Sequence, residues 1–170
     1  MRTKIILLAL AACALAAAGC RGSKPSGDAN ASAAGAPVSR ELPESGFRAQ
    51  ITVADPPARL RAGQKETVNV KVKNVSDVTW PSPSGEGPKY VVAAGNSWID
   101  KDGVVIVPGT DGRYGIQREL PPGEEEELPL VVTAPKEPGE YTLEIDLLQE
   151  QVSWFKDKGS ETYKVKVKVE

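Results

Sequence analysis

Residues 162–169, TYKVKVKV, decide the fold. Tyr163, Val165, Val167 and Val169 alternate with Lys164, Lys166 and Lys168. A side-chain period of two puts the apolar residues on one face and the lysines on the other, the mark of a strand with one buried and one wet side. A row of lysines also discourages edge-to-edge pairing. The same period returns upstream. Phe47, Ala49, Ile51 and Val53 alternate with Arg48, Gln50 and Thr52; Val68, Val70 and Val72 with Asn69, Lys71 and Lys73; Tyr141, Leu143, Ile145 and Leu147 with Thr142, Glu144 and Asp146. Turn pairs fall between these runs, among them Pro56-Pro57, Asp102-Gly103, Pro122-Gly123, Pro138-Gly139 and Lys158-Gly159. No segment carries a helical period. Strands are expected at 47–53, 66–74, 89–95 leading into 97–99, 104–107, 116–120, 125–133, 140–149, 152–155 and 162–169. Adjacent Leu147 and Leu148 suggest a phase shift and a β-bulge there. Short strands at regular spacing point to an all-β antiparallel sandwich, with a small barrel as the alternative.

The first 45 residues follow no such pattern. Arg2 and Lys4 precede an apolar run from Ile5 to Ala18, then Gly19 and Cys20. A basic start, a short apolar stretch and small residues at the end describe a secretory signal peptide, and the run is too short for a spanning helix. With Cys20 directly after the small residues, the segment resembles a bacterial lipoprotein signal with its lipobox, although Ala17 stands where leucine is commoner. The resemblance implies cleavage before Cys20, acylation (palmitate among the chains) of that cysteine, and a membrane partner reached through those chains. The resemblance also implies, from Arg21 in place of an aspartate, the periplasmic face of the outer membrane if the cell has one. Residues 20–45, rich in Ser, Gly, Ala and Pro, read as a tether of roughly 25–30 Å mean reach. The expected organisation is signal peptide 1–19, acylated cysteine and tether 20–45, and sandwich 46–170.

Composition narrows the function. The chain has 170 residues, 21 basic and 23 acidic, and no histidine. Loss of Arg2 and Lys4 with the signal leaves 19 basic residues against 23 acidic ones, so nucleic acid, which calls for a basic patch, is not an expected partner. Without histidine there is no Ser-His-Asp or Cys-His arrangement. With Cys13 and Cys20 as the two cysteines, there is also no ordinary zinc site and no disulfide in the sandwich. We expect no metal, no cofactor and no catalysis. Asp146 and Glu150, a conceivable acid–base pair, would stand about 13 Å apart along a strand, too far for glycoside hydrolysis. Asp100-Lys101-Asp102-Gly103 opens like a calcium loop, but Asp111 stands where its glutamate belongs, so it reads as a turn. Asn30 and Asn74 stand in N-glycosylation triplets, which carry no weight in a bacterial lipoprotein.

A set of words recurs along 65–170: Asn74 with Trp80-Pro81, Trp98 with Asp102-Gly103, Pro122-Gly123-Glu124, Ala134-Pro135, and Pro138-Gly139-Glu140-Tyr141. They resemble bacterial immunoglobulin-like sandwiches of glycan-assembly and other envelope proteins and, distantly, the four-tryptophan domain of autophagy receptors. The resemblance implies an immunoglobulin-like fold and an accessory role in binding. Expected structural residues are Trp98 in the core, Tyr141 as a tyrosine corner, and Glu150 facing inward and paired with Arg118 or backbone amides. Expected binding residues are Trp80, Trp154, Phe155, Arg113 and Tyr114, from scarce aromatics and a glycine-rich loop. The functional expectation is a lipid-anchored interaction module holding an envelope protein through sandwich-end loops; a carbohydrate-binding module stacking exposed tryptophans on a glycan is the alternative.

Overall fold

A computed structural model describes residues 40–83, 88–107 and 111–170. Its strands, in chain order, are β1 (Ala49–Val53), β2 (Arg59–Leu60), β3 (Lys65–Asn74), β4 (Val92–Ile99), β5 (Val105–Val107), β6 (Tyr114–Gly115), β7 (Glu125–Thr133), β8 (Gly139–Gln149), β9 (Ser153–Trp154) and β10 (Tyr163–Val169). One sheet has the order β1-β3-β7; the other runs β2-β10-β8-β4-β5, with β6 beside β4 and β9 beside β8. All pairings are antiparallel except that of β2 with β10. This is an all-β immunoglobulin-like sandwich. The first strand region splits, β1 joining one sheet and β2 the other, and β8 and β10 pair across the second sheet.

Alternation produces the strands as expected in β3, β7 and β10. Val68, Val70 and Val72 oppose Leu130, Leu128 and Glu126 in one sheet, and the valines and leucines face a second layer built from Val92, Ala94, Trp98, Leu143, Ile145 and Leu147. Tyr141 donates its hydroxyl to the Glu137 carbonyl at 2.9 Å and stands edge-on to Trp98, which is fully buried. The Asp100 turn is closed by its own carboxylate, which accepts from the Asp102 and Val104 amides.

Several expectations change. No bulge forms at Leu147–Leu148: β8 runs in continuous register against β4, and the shift lies instead where Trp98 and Ile99 meet β5. Both leucines are apolar because both faces of the sheet are covered there. β4 is one strand rather than two. Residues 116–120 form no strand beyond the single bridge of Leu120 to Trp80. The short β2 and the 3-10 turns at Glu44–Gly46 and Lys156–Lys158 have no periodic signal to announce them. The sandwich also starts before residue 46. Leu42 is buried, and its amide donates to Gln149 Oε1 at 2.9 Å. Cys20 and the tether up to residue 39 lie outside the described residues.

Gln149 is the last inward residue of β8 and is fully buried. Its amide nitrogen donates to the carbonyls of Arg40 and Tyr90, so one side chain ties the entering chain to the start of β4. A buried polar group is cheap only while every partner is met. Replacing Gln149→Leu is expected to lower stability by about 1–3 kcal/mol, read by urea denaturation, and to open the segment around Leu42 to proteolysis.

Candidate functional site

The end of the sandwich where the chain enters carries the strongest constellation. It forms where β4 begins and β8 ends. Trp154, on β9, pairs with Leu148, which lies across from Ala93. Its indole rests on β4: a Cβ at Gly95 would stand 2.8 Å from Trp154 Cη2 and 3.5 Å from Leu148 Cδ2. Gly95 therefore provides the seat for the ring, which covers the outer face of β4 at that point. Arg113 stands 5.5 Å and Lys156 Nζ 5.8 Å from the ring centroid. Cations over an indole face add to its polar character at the surface. Arg113 Nη1 also donates to Glu150 Oε2 at 2.9 Å.

Beside this shelf lies a cleft of about 430 Å³, walled by Pro83, Pro88, Val91 and Gly115 with Arg113, Gln117 and Glu150 as its polar groups. Two non-glycine residues border it with left-handed backbones, Tyr90 at φ 68° and Gln151 at φ 63°. Such conformations cost of order 1 kcal/mol or more and persist where the surroundings hold them. Here Tyr90 donates its amide to the Glu150 carbonyl and accepts from Gln149 at its own. The cleft wall is thus fixed by the same clasp that ends β8.

Of the residues expected to bind, Arg113 lines this cleft and reaches from Glu150 to the Trp154 ring beside it. The others do not. Trp80 and Phe155 are both 0% exposed and belong to the core. Phe155 stands edge-on to Phe47 at 5.1 Å and to Trp80 at 5.3 Å, and Trp80 Nε1 donates to the Gly46 carbonyl. Consecutive aromatics on a strand point to opposite faces, which sends Phe155 inward and leaves Trp154 outside. Tyr114 packs against the core from β6. Glu150 faces outward, continuing the phase of Leu148, and pairs with Arg113; Arg118 pairs with Glu124 and donates to the Glu125 carbonyl. Asn74 is fully buried, its amide bonded to the carbonyls of Val78 and Leu120 and its oxygen to Ser76.

Sequence reasoning passed over the acidic pair beside the shelf. Glu144 and Asp146 share the outer face of β8, and both are buried. Burial alone would raise the Glu144 carboxyl, but Lys156, with Lys164 and the Thr162 hydroxyl, outweighs it and holds the group below its ordinary range. Asp146 receives only the amides of Leu147 and Lys156, and burial pushes it up to about 7. Among the described residues no group of three or more side chains is arranged to hold a metal ion.

No family model matches the chain, and no curated protein matches it. Solved structures do. It is similar to the CARDB domain of a Pyrococcus furiosus protein (14% identity, 72% of this chain and 86% of that one, TM-score 0.41). It is similar to the sporulation control protein Spo0M of Bacillus subtilis (16% identity, TM-score 0.42), of which the match spans 49% against 72% of this chain. A conjugative transposon lipoprotein of Bacteroides eggerthii matches at 12% identity over 72% of this chain and 97% of its own, TM-score 0.29.

The Asp146 environment yields a pH dependence. A carboxyl whose value rises from 3.8 unfolded to about 7 folded binds its proton more tightly in the folded chain. Its contribution to stability is therefore greatest below pH 4, declines as pH rises towards 7, and is level above. Glu144 acts in the opposite sense and only below its ordinary range. Urea denaturation of Asp146→Asn against the native chain should show the variant gaining at least about 1 kcal/mol between pH 4 and pH 7.5, with the difference constant above that.

Proposed function

We propose that this chain is a non-catalytic, lipid-anchored interaction module of the cell envelope that binds a protein partner at the Trp154–Arg113 cleft. The observation that carries the reading is the indole laid on Gly95 at the rim of a proline-walled cleft, with Arg113 and Glu150 beside it. Trp and Arg are the side chains that most often dominate protein interfaces, because each offers large contact area together with a polar edge. Walls fixed by the Gln149 clasp would spare a partner the cost of ordering them.

The absence of histidine supports a non-catalytic role, and so does the state of the acidic pair. The Glu144 carboxylate is engaged by Lys156, Lys164 and Thr162, and that of Asp146 by two backbone amides, so their oxygens are occupied by the chain itself. The glycan reading needs two tryptophan faces in one plane. Trp80 and Trp98 are buried, which leaves Trp154 alone and favours a protein partner.

The anchor follows from the lipobox resemblance. If Cys20 is acylated, 19 residues lie between it and Arg40, which Gln149 holds at the cleft end, so the cleft would sit on the anchored side of the sandwich.

Cross-linking the acylated chain in its own cells tests this. A near-stoichiometric envelope protein should co-purify, be lost in Cys20→Ala, and fall at least about tenfold in Trp154→Ala while that variant keeps its fold. Recovery of glycan fragments without protein, or undiminished capture by Trp154→Ala, overturns the reading.

A further inference from the structure

The edge strands of the two sheet paths are β1 with five residues, β2 with two, β5 with three, and β7. β7 is long but carries Pro129 at its middle and Glu125, Glu126 and Glu127 at its start, both of which resist pairing with another chain. β5 differs. Val104, Val105 and Ile106 are 57%, 47% and 38% exposed, and among the described residues no strand pairs with the outer edge of β5.

A groove of about 570 Å³ runs there, between β5 and the turn that joins β7 to β8. Ile106, Pro135 and Tyr141 supply its apolar wall. Asp100, Asp111 and Glu137 line it against a single cation, Lys136, so the groove is net acidic.

We propose that the β5 edge binds an extended, apolar segment of a partner protein, flanked by basic residues, as an added strand. The edge supplies backbone donors and acceptors, the groove receives alternate side chains, and the acidic rim selects the flanks. A second copy pairing through the same edge fits less well, because the cation it offers there, Lys101, is already ion-paired with Asp102. An anionic lipid surface would be repelled by the acidic groove. The site is separate from the Trp154 cleft: β5 pairs with Trp98 and Ile99, whereas Trp154 rests on Gly95, three to four residues or about 10–13 Å away along β4. It does not depend on the proposed role of that cleft.

The test uses the full chain and a fluorescent ten-residue peptide of alternating valine and threonine with two lysines at each end. Anisotropy should show saturable binding, weakened at least about tenfold in Ile106→Lys and unchanged in Trp154→Ala. A peptide N-methylated at alternate residues should lose binding, since it cannot complete the ladder, and hydrogen exchange at β5 should slow with the unmodified peptide. Far-UV circular dichroism checks that Ile106→Lys is folded. The proposal is overturned by absence of saturable binding, by equal binding of the methylated peptide or of Ile106→Lys, by loss of binding in Trp154→Ala alone, or by a native dimer that Ile106→Lys dissociates.

Discussion

Phe155 between Phe47 and Trp80 is the contact on which the rest of this sandwich depends. The three rings come from distant parts of the chain: the entry to β1, the connection between β3 and β4, and the turn between β9 and β10. With both cysteines confined to the first 20 residues, no disulfide can tie the sheets together. Edge-on aromatic contacts add about 0.5–1.5 kcal/mol each beyond the area they bury, and they have direction. Trp80 is further fixed by its bond to the Gly46 carbonyl and by its bridge to Leu120. Closing this end leaves the neighbouring Trp154 outside, so the plug and the half-buried shelf follow from one pair of adjacent residues.

What could be read from the sequence followed from one-sided burial. β3, β7 and β10 face the core on one side and water on the other, and their alternation placed them within a residue or two. β4 is buried on both faces along nearly its whole length, with Trp154 over Gly95 on the outer side, so the period of two vanishes there. The adjacent Leu147 and Leu148 reflect the same two-sided burial rather than a bulge. Trp80 and Phe155 adjoin turns, which makes them candidate binding residues in the sequence, although Trp80 also reads as a cap on one end of the sandwich and consecutive aromatics send one ring inward. Nothing local reveals that three turns converge into one cluster. Gln149 did have a signal, since it continues the inward phase of Leu143, Ile145 and Leu147. A polar residue at an inward position points to a buried network.

The outer face of β8 shows how neighbours decide the state of similar groups. Glu144 and Asp146 are two residues apart on the same face. Lys156 reaches Glu144 with its ammonium but Asp146 only with its backbone amide. One carboxyl is stabilised as an ion and the other is left to desolvation. Paired carboxyls with divergent affinities often mark an acid and a base. Here each is enclosed by the strand, the 3-10 turn and β10, and the difference reads more simply as the consequence of seating Trp154 and Lys156 over the sheet.

Direction along β8 organises the molecule. Its 11 residues span about 35 Å between the Gly139 and Gln149 ends. The chain enters at the Gln149 end, beside the aromatic plug and the Trp154 shelf, while β5 lies along the half of β4 that pairs with Thr142 and Leu143. A chain held at its amino end would therefore keep the shelf near the point of attachment and turn the apolar edge of β5 away from it. The exposed apolar residues Val104, Val105 and Ile106 at β5 therefore lie on the side farther from the entry point. A strand offered there could be reached by a segment approaching from outside, without competition from whatever occupies the cleft.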